Sequence, residues 1–370
     1  MRCTYFDTRA CISCSALPVP YRQQLAAKAA RVSALLPPLE WLAPYASPPT
    51  GFRTSIKLVV SGSSRSPKLG ILGSDQTGVD LSRCPITDRR LLAVLPPIKS
   101  VIHQANLTPY SVPARRGELK NVLLTVGDDG HVMARFVLRS KQRLPALRHA
   151  VADLQTTAPA VRVVSANFLP QHVALPTGPE EILLTEQSTL PMTVGDVRLY
   201  AHPGSFVQTN SVVAGSLYRQ AAAWLAARAP QSVLDLFCGM GGFALHCAAA
   251  GTSRVSGIDV SAASIASART AAREAGSSAV FSVADLTTLP VDDASAEAVV
   301  VNPPRRGIGQ LMSDWLATSS ADTLLYSSCN PLSLASDLAA LPDWIPRRGR
   351  VFDMFPHTDH AEVLVELTRK

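Results

Sequence analysis

The chain has 370 residues, 47% of them hydrophobic, and no apolar run approaches the roughly 20 residues that a membrane helix requires. The N-terminus, MRCTYFDTRACISCS, has no apolar core of signal-peptide type, so a cytoplasmic protein with room for two domains is expected. The net charge of +7 is uneven: residues 1–200 carry 23 basic against 13 acidic side chains, net +10, and residues 201–370 carry 12 against 15, net −3. Such a split fits either a polyanion-binding part joined to a catalytic part or a basic surface kept for solubility.

In chain order, residues 21–36 (YRQQLAAKAARVSALL) read as a helix, and a proline-rich passage, PPLEWLAPYASPPTG, follows. Two short strands are expected at FRTSIKLVVSG and PKLGILG. Residues 117–140 read as a hairpin, with apolar and β-branched runs on either side of a DDG turn whose glycine tolerates unusual backbone angles. A helix over 144–155 and a strand at VRVVSANFL complete a mixed α/β region. Basic side chains recur near its strand ends, among them Arg115, Arg116 and Lys120.

The second half is more regular. A helix is expected over Ser211–Arg228, and strands at SVLDLFC, RVSGIDV, AVFSVAD, EAVVVNP and TLLYSSC alternate with helical stretches. Alternation of this kind implies a mostly parallel, doubly wound sheet. The last two apolar runs, RVFDMF and AEVLVELT, are separated only by PHTDH, so the final strand returns antiparallel. That is the strand pattern of a seven-stranded methyltransferase sheet.

Ligands of such sheets sit beyond the carboxyl ends of the strands. The first strand ends DLFCGMGGF, whose glycines allow a tight turn and a close approach of backbone to ligand. Neither GxGxxG nor GxxxxGK[ST] is present, which disfavours a dinucleotide or a nucleoside triphosphate. Asp259, ending the second strand, can accept hydrogen bonds from both ribose hydroxyls of an adenosine. Asp285, ending the third, can accept from an adenine amino group or serve as a cap or turn residue. Together these point to S-adenosylmethionine. The fourth strand ends NPPRRG, beginning at Asn302. Where enzymes of amino nitrogens place an aromatic residue after Asn-Pro-Pro, this chain has Arg305, which weighs against amino-group methylation.

Cys329 ends the fifth strand just before a helix, where the helix N-terminus lowers a thiol's pKa. A thiolate added to carbon 6 of a uracil turns carbon 5 into a nucleophile toward a sulfonium methyl group. A base must then remove the carbon-5 proton. The last strand is antiparallel, so its first residues lie at the same edge; Glu362 is the expected base, with His357 and His360 as possible assistants, and Glu366 lies farther along, away from the site. At the other end of the chain, Cys3, Cys11 and Cys14, with Cys84 far downstream, offer four soft ligands that suit zinc or an iron–sulfur cluster.

The motifs QTN (208–210), DLFCGMGGF, GIDVS, VNPPRRGIG, YSSCNP and FDMFPHTDHAEVL, in this order, resemble the RNA uracil-5-methyltransferase family, in particular its bacterial members that act on 23S ribosomal RNA and lack an N-terminal TRAM domain. The resemblance implies that Cys329 is the nucleophile and Glu362 the proton acceptor, that Gln208, Phe237, Asp259 and Asn302 contact the methyl donor, and that Cys3, Cys11, Cys14 and Cys84 hold a [4Fe–4S] cluster. Family members often have Glu in place of Asp259 and Asp in place of Asn302. The expected architecture is therefore α/β in three parts: an iron–sulfur segment (1–90), a central α/β RNA-binding region (91–200) and a Rossmann-like methyltransferase domain (201–370). The expected partner is a hairpin loop of 23S ribosomal RNA, gripped by a monomer without membrane attachment. A transfer-RNA uracil methyltransferase and a non-catalytic iron–sulfur RNA-binding protein are the alternatives.

Overall fold

The computed structural model describes all residues except 74, 287 and 289–294. The described chain divides into two compact units. One comprises Met1–Cys14, Thr50–Met192 and His202–Thr209; the other comprises Ser15–Pro49, Thr193–Ala201 and Asn210–Lys370. The division differs from the three consecutive stretches expected from sequence. The reason is apolar burial: Val32 and Leu36, from a segment expected to pack with the N-terminal part, lie in the same core as Leu234, Val299 and Leu324.

The first unit is built on a seven-stranded sheet. Its strands run, from one edge to the other, Gly78–Asp80, Pro67–Leu72, Ser55–Gly62, Leu119–Val126, Val132–Leu138, Val161–Phe168 and Glu180–Leu183. Every neighbouring pair is antiparallel except Val132–Leu138 with Val161–Phe168. Those two are joined by the helix Leu144–Thr157, the crossover that a parallel pair needs. Leu147, Val151 and Leu154 of that helix join Ile98, Val101 and Ile102 of a second helix, Leu95–Gln104, in one buried core. Pro96 and Pro97 disguise the second helix in the sequence, yet proline suits a first helical turn, whose N–H groups have no intrahelical partner.

The second unit carries the regular alternation. Its strands are β1 (Ser232–Leu236), β2 (Arg254–Asp259), β3 (Val280–Val283), β4 (Ala298–Val301), β5 (Thr323–Ser328), β6 (Trp344–Phe352) and β7 (Glu362–Arg369). The order across the sheet is β6-β7-β5-β4-β1-β2-β3, with a two-residue strand, Glu40–Trp41, added beyond β6. β4 and β5 are buried along their whole length, as central strands covered on both faces must be. β7 runs antiparallel to both β5 and β6, as expected. Among the described residues no helix is long and apolar enough to cross a membrane.

Candidate active site

The turn after β1 is the first feature at the carboxyl edge. Phe237 adopts φ 63° and Gly239 φ 54°, and a Cβ added at Gly239 would meet nothing within 4 Å, so this backbone borders open space. Cys238 N–H donates to Ile258 O at 3.0 Å, tying the turn to β2. Asp259, half-buried at the end of β2, accepts from Gly239 N–H at 3.0 Å through Oδ2 and from Ser261 N–H at 2.8 Å through Oδ1. Each carboxylate oxygen keeps a further lone pair for a ligand hydroxyl. Asp235, fully buried on β1, accepts from Ala244 N–H at 2.9 Å, while its Oδ1 has no partner among the described residues. Burial raises its carboxyl to about 8. An open glycine turn, with further lone pairs on Asp259 beside it, fits a ligand carrying a ribose, as S-adenosylmethionine does. Asp285 is half-buried just past β3, where Ala284 N–H donates to Asp259 O. Asn302 follows β4, and its N–H approaches Leu236 O at 3.4 Å, beside the β1 turn. Gln208 falls in the other unit, within His202–Thr209.

The reacting pair is set by strand register. Ser328 pairs with Val363 across β5 and β7, so Cys329 stands opposite Glu362 one step further. Phe352 of β6 lies on the other side of Glu362. The Ser327 hydroxyl donates to Glu362 Oε1 at 2.7 Å. Glu362 is 2% exposed, and burial, opposed by that hydrogen bond, lifts its carboxyl to about 7. An acid poised there exchanges a proton at neutral pH. Glu366, by contrast, is paired with Arg348 at 2.7 Å and with Arg228 at 3.3 Å and takes no part in this site.

Cys329 departs from the sequence expectation. Burial, reinforced by the charge of Glu362, raises the thiol's pKa, which the helix N-terminus at Pro331 does not reverse. Arg305 opposes the rise, because its positive charge favours the thiolate. Arg305 also donates to His360 Nδ1 at 3.2 Å, and Asn330 Nδ2 donates to Arg305 O at 2.9 Å. The loop that presents Arg305 is pinned from beneath: Asp337 accepts from the Tyr326 hydroxyl and, at 3.1 Å, from Ile308 N–H. Gly307, at φ 90°, sits so close that a Cβ there would come within 2.2 Å of Asp337. The sequence suggests Arg305 only as a partner for oxygen; its effect on the thiol follows from β4 and β5 being neighbours in the sheet.

A methyltransferase-domain family model matches residues 233–305. Curated relatives match from end to end: the 23S rRNA (uracil(747)-C(5))-methyltransferase RlmC of Serratia proteamaculans is 46% identical over 100% of both chains, and those of Citrobacter koseri and Escherichia coli O139:H28 are 43% and 42% identical over the same extent. The chain belongs to the RlmC family of 23S rRNA (uracil-C(5))-methyltransferases. Among solved structures, the Pyrococcus abyssi tRNA (uracil-54, C5)-methyltransferase in complex with S-adenosyl-L-homocysteine shares the fold, with a TM-score of 0.78 at 24% identity, over 96% of this chain and 86% of that one.

In this RlmC-family chain the four N-terminal cysteines come together. Cys3, Cys11, Cys14 and Cys84 line one cavity of about 60 Å³, together with Arg53 and Ile71. Burial, and then the neighbouring thiols of Cys84, Cys11 and Cys3, raise Cys14 to about 11. Among the described residues no group of three or more His, Cys, Asp or Glu side chains is gathered closely enough to hold a metal ion. Of the basic residues near the strand ends of the first half, Arg115 and Arg116 are exposed. Lys120 is not: it is 8% exposed, donates to Gln171 O and lies under the Tyr110 ring at 4.8 Å. Its ammonium is committed inside the unit.

Proposed function

We propose that this protein transfers a methyl group from S-adenosylmethionine to carbon 5 of a uracil in 23S ribosomal RNA through a covalent bond between Cys329 and carbon 6. The observation that carries this reading is the facing pair Cys329 and Glu362 at the cofactor edge, with Arg305 acting on the thiol and Glu362 poised near neutrality. Arg305 favours the thiolate, which adds to carbon 6 and moves the ring's electron density to carbon 5. Bound at the glycine turn with its ribose on Asp259, S-adenosylmethionine supplies an electrophilic methyl group; Phe237, Asn302 and Asp285 complete the proposed contacts. Carbon 5 takes the methyl group. Glu362 then accepts the carbon-5 proton, the double bond between carbons 5 and 6 re-forms, and the sulfur–carbon bond breaks to return the Cys329 thiolate.

The cysteine-lined cavity supports a [4Fe–4S] cluster held by Cys3, Cys11, Cys14 and Cys84. A zinc ion needs its four sulfurs about 2.3 Å from a single point, whereas a cluster brings four irons of its own and needs thiolates around a volume. Its proposed work is structural, since methyl transfer moves no net electrons. The test of the whole reading is methylation of purified ribosomal and transfer RNA, with the modified nucleotide mapped. 5-Methyluridine formed at one 23S site and none in transfer RNA is expected; methylation of transfer RNA alone would replace the substrate assigned here.

A further inference from the structure

The helix Tyr21–Leu35 buries an unusual face. Tyr21, Gln24 and Lys28 recur on it at helical spacing and are polar, and the exposed Arg31 continues the row at its rim. They meet the connection between β6 and β7, residues 353–361, which has no regular structure to satisfy its own backbone. At its start, Asp353 is fully buried and accepts from Lys28 Nζ at 2.6 Å and from the Tyr21 hydroxyl at 2.8 Å. Lys28 also donates to Phe355 O at 2.8 Å. At its far end, Arg31 donates to Asp359 O.

His357 is the central fixture of that connection. It is 1% exposed, with a backbone φ of 65° that residues other than glycine rarely adopt. All of its polar atoms are bound by the Ser15–Pro49 segment. Its N–H donates to Gln24 Oε1 at 3.0 Å, and its carbonyl accepts from Ala16 N–H at 3.0 Å. Nε2 lies 2.7 Å from Pro49 O, which can only accept, so the ring proton is there. Nδ1 then accepts from Gln24 Nε2 at 3.3 Å, and the same amide donates to Val19 O at 2.7 Å. Gln24 is 4% exposed, with both ends of its amide used. Glu362 follows His357 by five residues and is the first residue of β7. Cys329 is held by separate means, at the end of β5 beside the capping Asn330.

We propose that Gln24 and His357 form a buried clamp through which the Ser15–Pro49 segment positions Glu362 for removal of the carbon-5 proton. Both are positioning residues; neither touches the uracil. The inference rests on the covalent reading above. It divides the reaction in two: loosening the clamp slows elimination, in which Glu362 gains the proton and the bond from Cys329 to carbon 6 breaks, and leaves addition and methyl transfer largely intact. A misplacement of about 1 Å at a reacting group costs on the order of a hundredfold.

The experiment compares Gln24→Ala and His357→Asn with the wild type on two RNAs. Asn tolerates the left-handed backbone at position 357. On RNA carrying 5-fluorouridine, carbon 5 has no proton to lose, so trapping reports addition and methyl transfer alone. On ordinary RNA, release of methylated product also requires elimination. Unfolded molecules contribute to neither, so the ratio of turnover to trapping does not depend on how much of a variant folds. The expected result is turnover reduced roughly tenfold to a hundredfold, trapping within about twofold of wild type, and a methylated covalent complex accumulating on ordinary RNA. Equal loss in both assays, or no loss in either, overturns the clamp. A wild type that traps no 5-fluorouridine RNA overturns the covalent reading itself, and the clamp with it.

Discussion

The Ser327 hydroxyl, two residues before Cys329 on β5, donates a 2.7 Å hydrogen bond to Glu362 Oε1 and joins β5 to β7 beside the point where Cys329 faces Glu362. The contact fixes one carboxylate oxygen and leaves the other for chemistry. It lowers a pKa that burial has raised, and the balance lies at about 7.

That balance makes a prediction about stability. An unfolded glutamate titrates near its ordinary 4.5 and the folded one near 7, so between those values the native state holds the extra proton. Stability from this group is therefore present below about 4.5 and is lost as pH rises to 7, by on the order of 3 kcal/mol. Glu362→Gln keeps an acceptor for Ser327 and removes the titration. Urea unfolding is expected to show the variant gaining on the wild type at pH 8 and not at pH 4.5. An equal difference at both would contradict the assignment. The same variant is expected to stall as a methylated covalent complex with ordinary RNA.

Arg305 is expected to govern the reactivity of Cys329. Removing its charge with Arg305→Gln leaves burial and Glu362 to raise the thiol's pKa unopposed. The pH profile of Cys329 alkylation by iodoacetamide is expected to move to higher pH, and the alkylation rate at pH 7 to fall about tenfold if the thiol's pKa rises by about one. An unchanged profile would remove Arg305 from thiolate activation.

The Lys28–Asp353 pair is buried at 3% and 0% side-chain exposure. Lys28→Met leaves a buried carboxylate with the hydrogen bond from the Tyr21 hydroxyl and no countercharge from Lys28, and a loss of about 3–5 kcal/mol is expected in chemical unfolding. Replacing both partners by apolar residues is expected to recover much of that loss. If the double variant is no better than the single one, the cost comes from packing and not from the stranded charge.

Much of this architecture is legible in the sequence, and the parts that are not have physical reasons. The helix over Ser211–Arg228, the helices that follow β1, β2, β4 and β5, and the antiparallel return of β7 all follow from local periodicity and connection length. Cys329, Glu362 and Asp259 fall at one edge because strand ends can be read off a chain. The clamp is hidden, because a helix with polar residues at its buried positions looks like a surface helix until its partner loop, more than three hundred residues away, is known. Lys120 misleads for the converse reason: a basic residue in a basic region gives no local sign that its ammonium is already bound. The raised thiol at Cys329 likewise depends on burial that no spacing records.

For the cysteine cavity, protein purified without oxygen is expected to be brown, with iron and sulfide in equal amounts, and Cys84→Ser to lose both. A colourless protein with one zinc would end that assignment.

The central claim is the bond between Cys329 and the uracil ring. Wild-type protein, S-adenosylmethionine and a 23S fragment carrying 5-fluorouridine are predicted to give a complex that survives denaturation, with the RNA mapped by mass spectrometry to Cys329, and Cys329→Ser to give none. A Cys329→Ser protein that methylates ordinary 23S RNA at the wild-type rate would contradict the account.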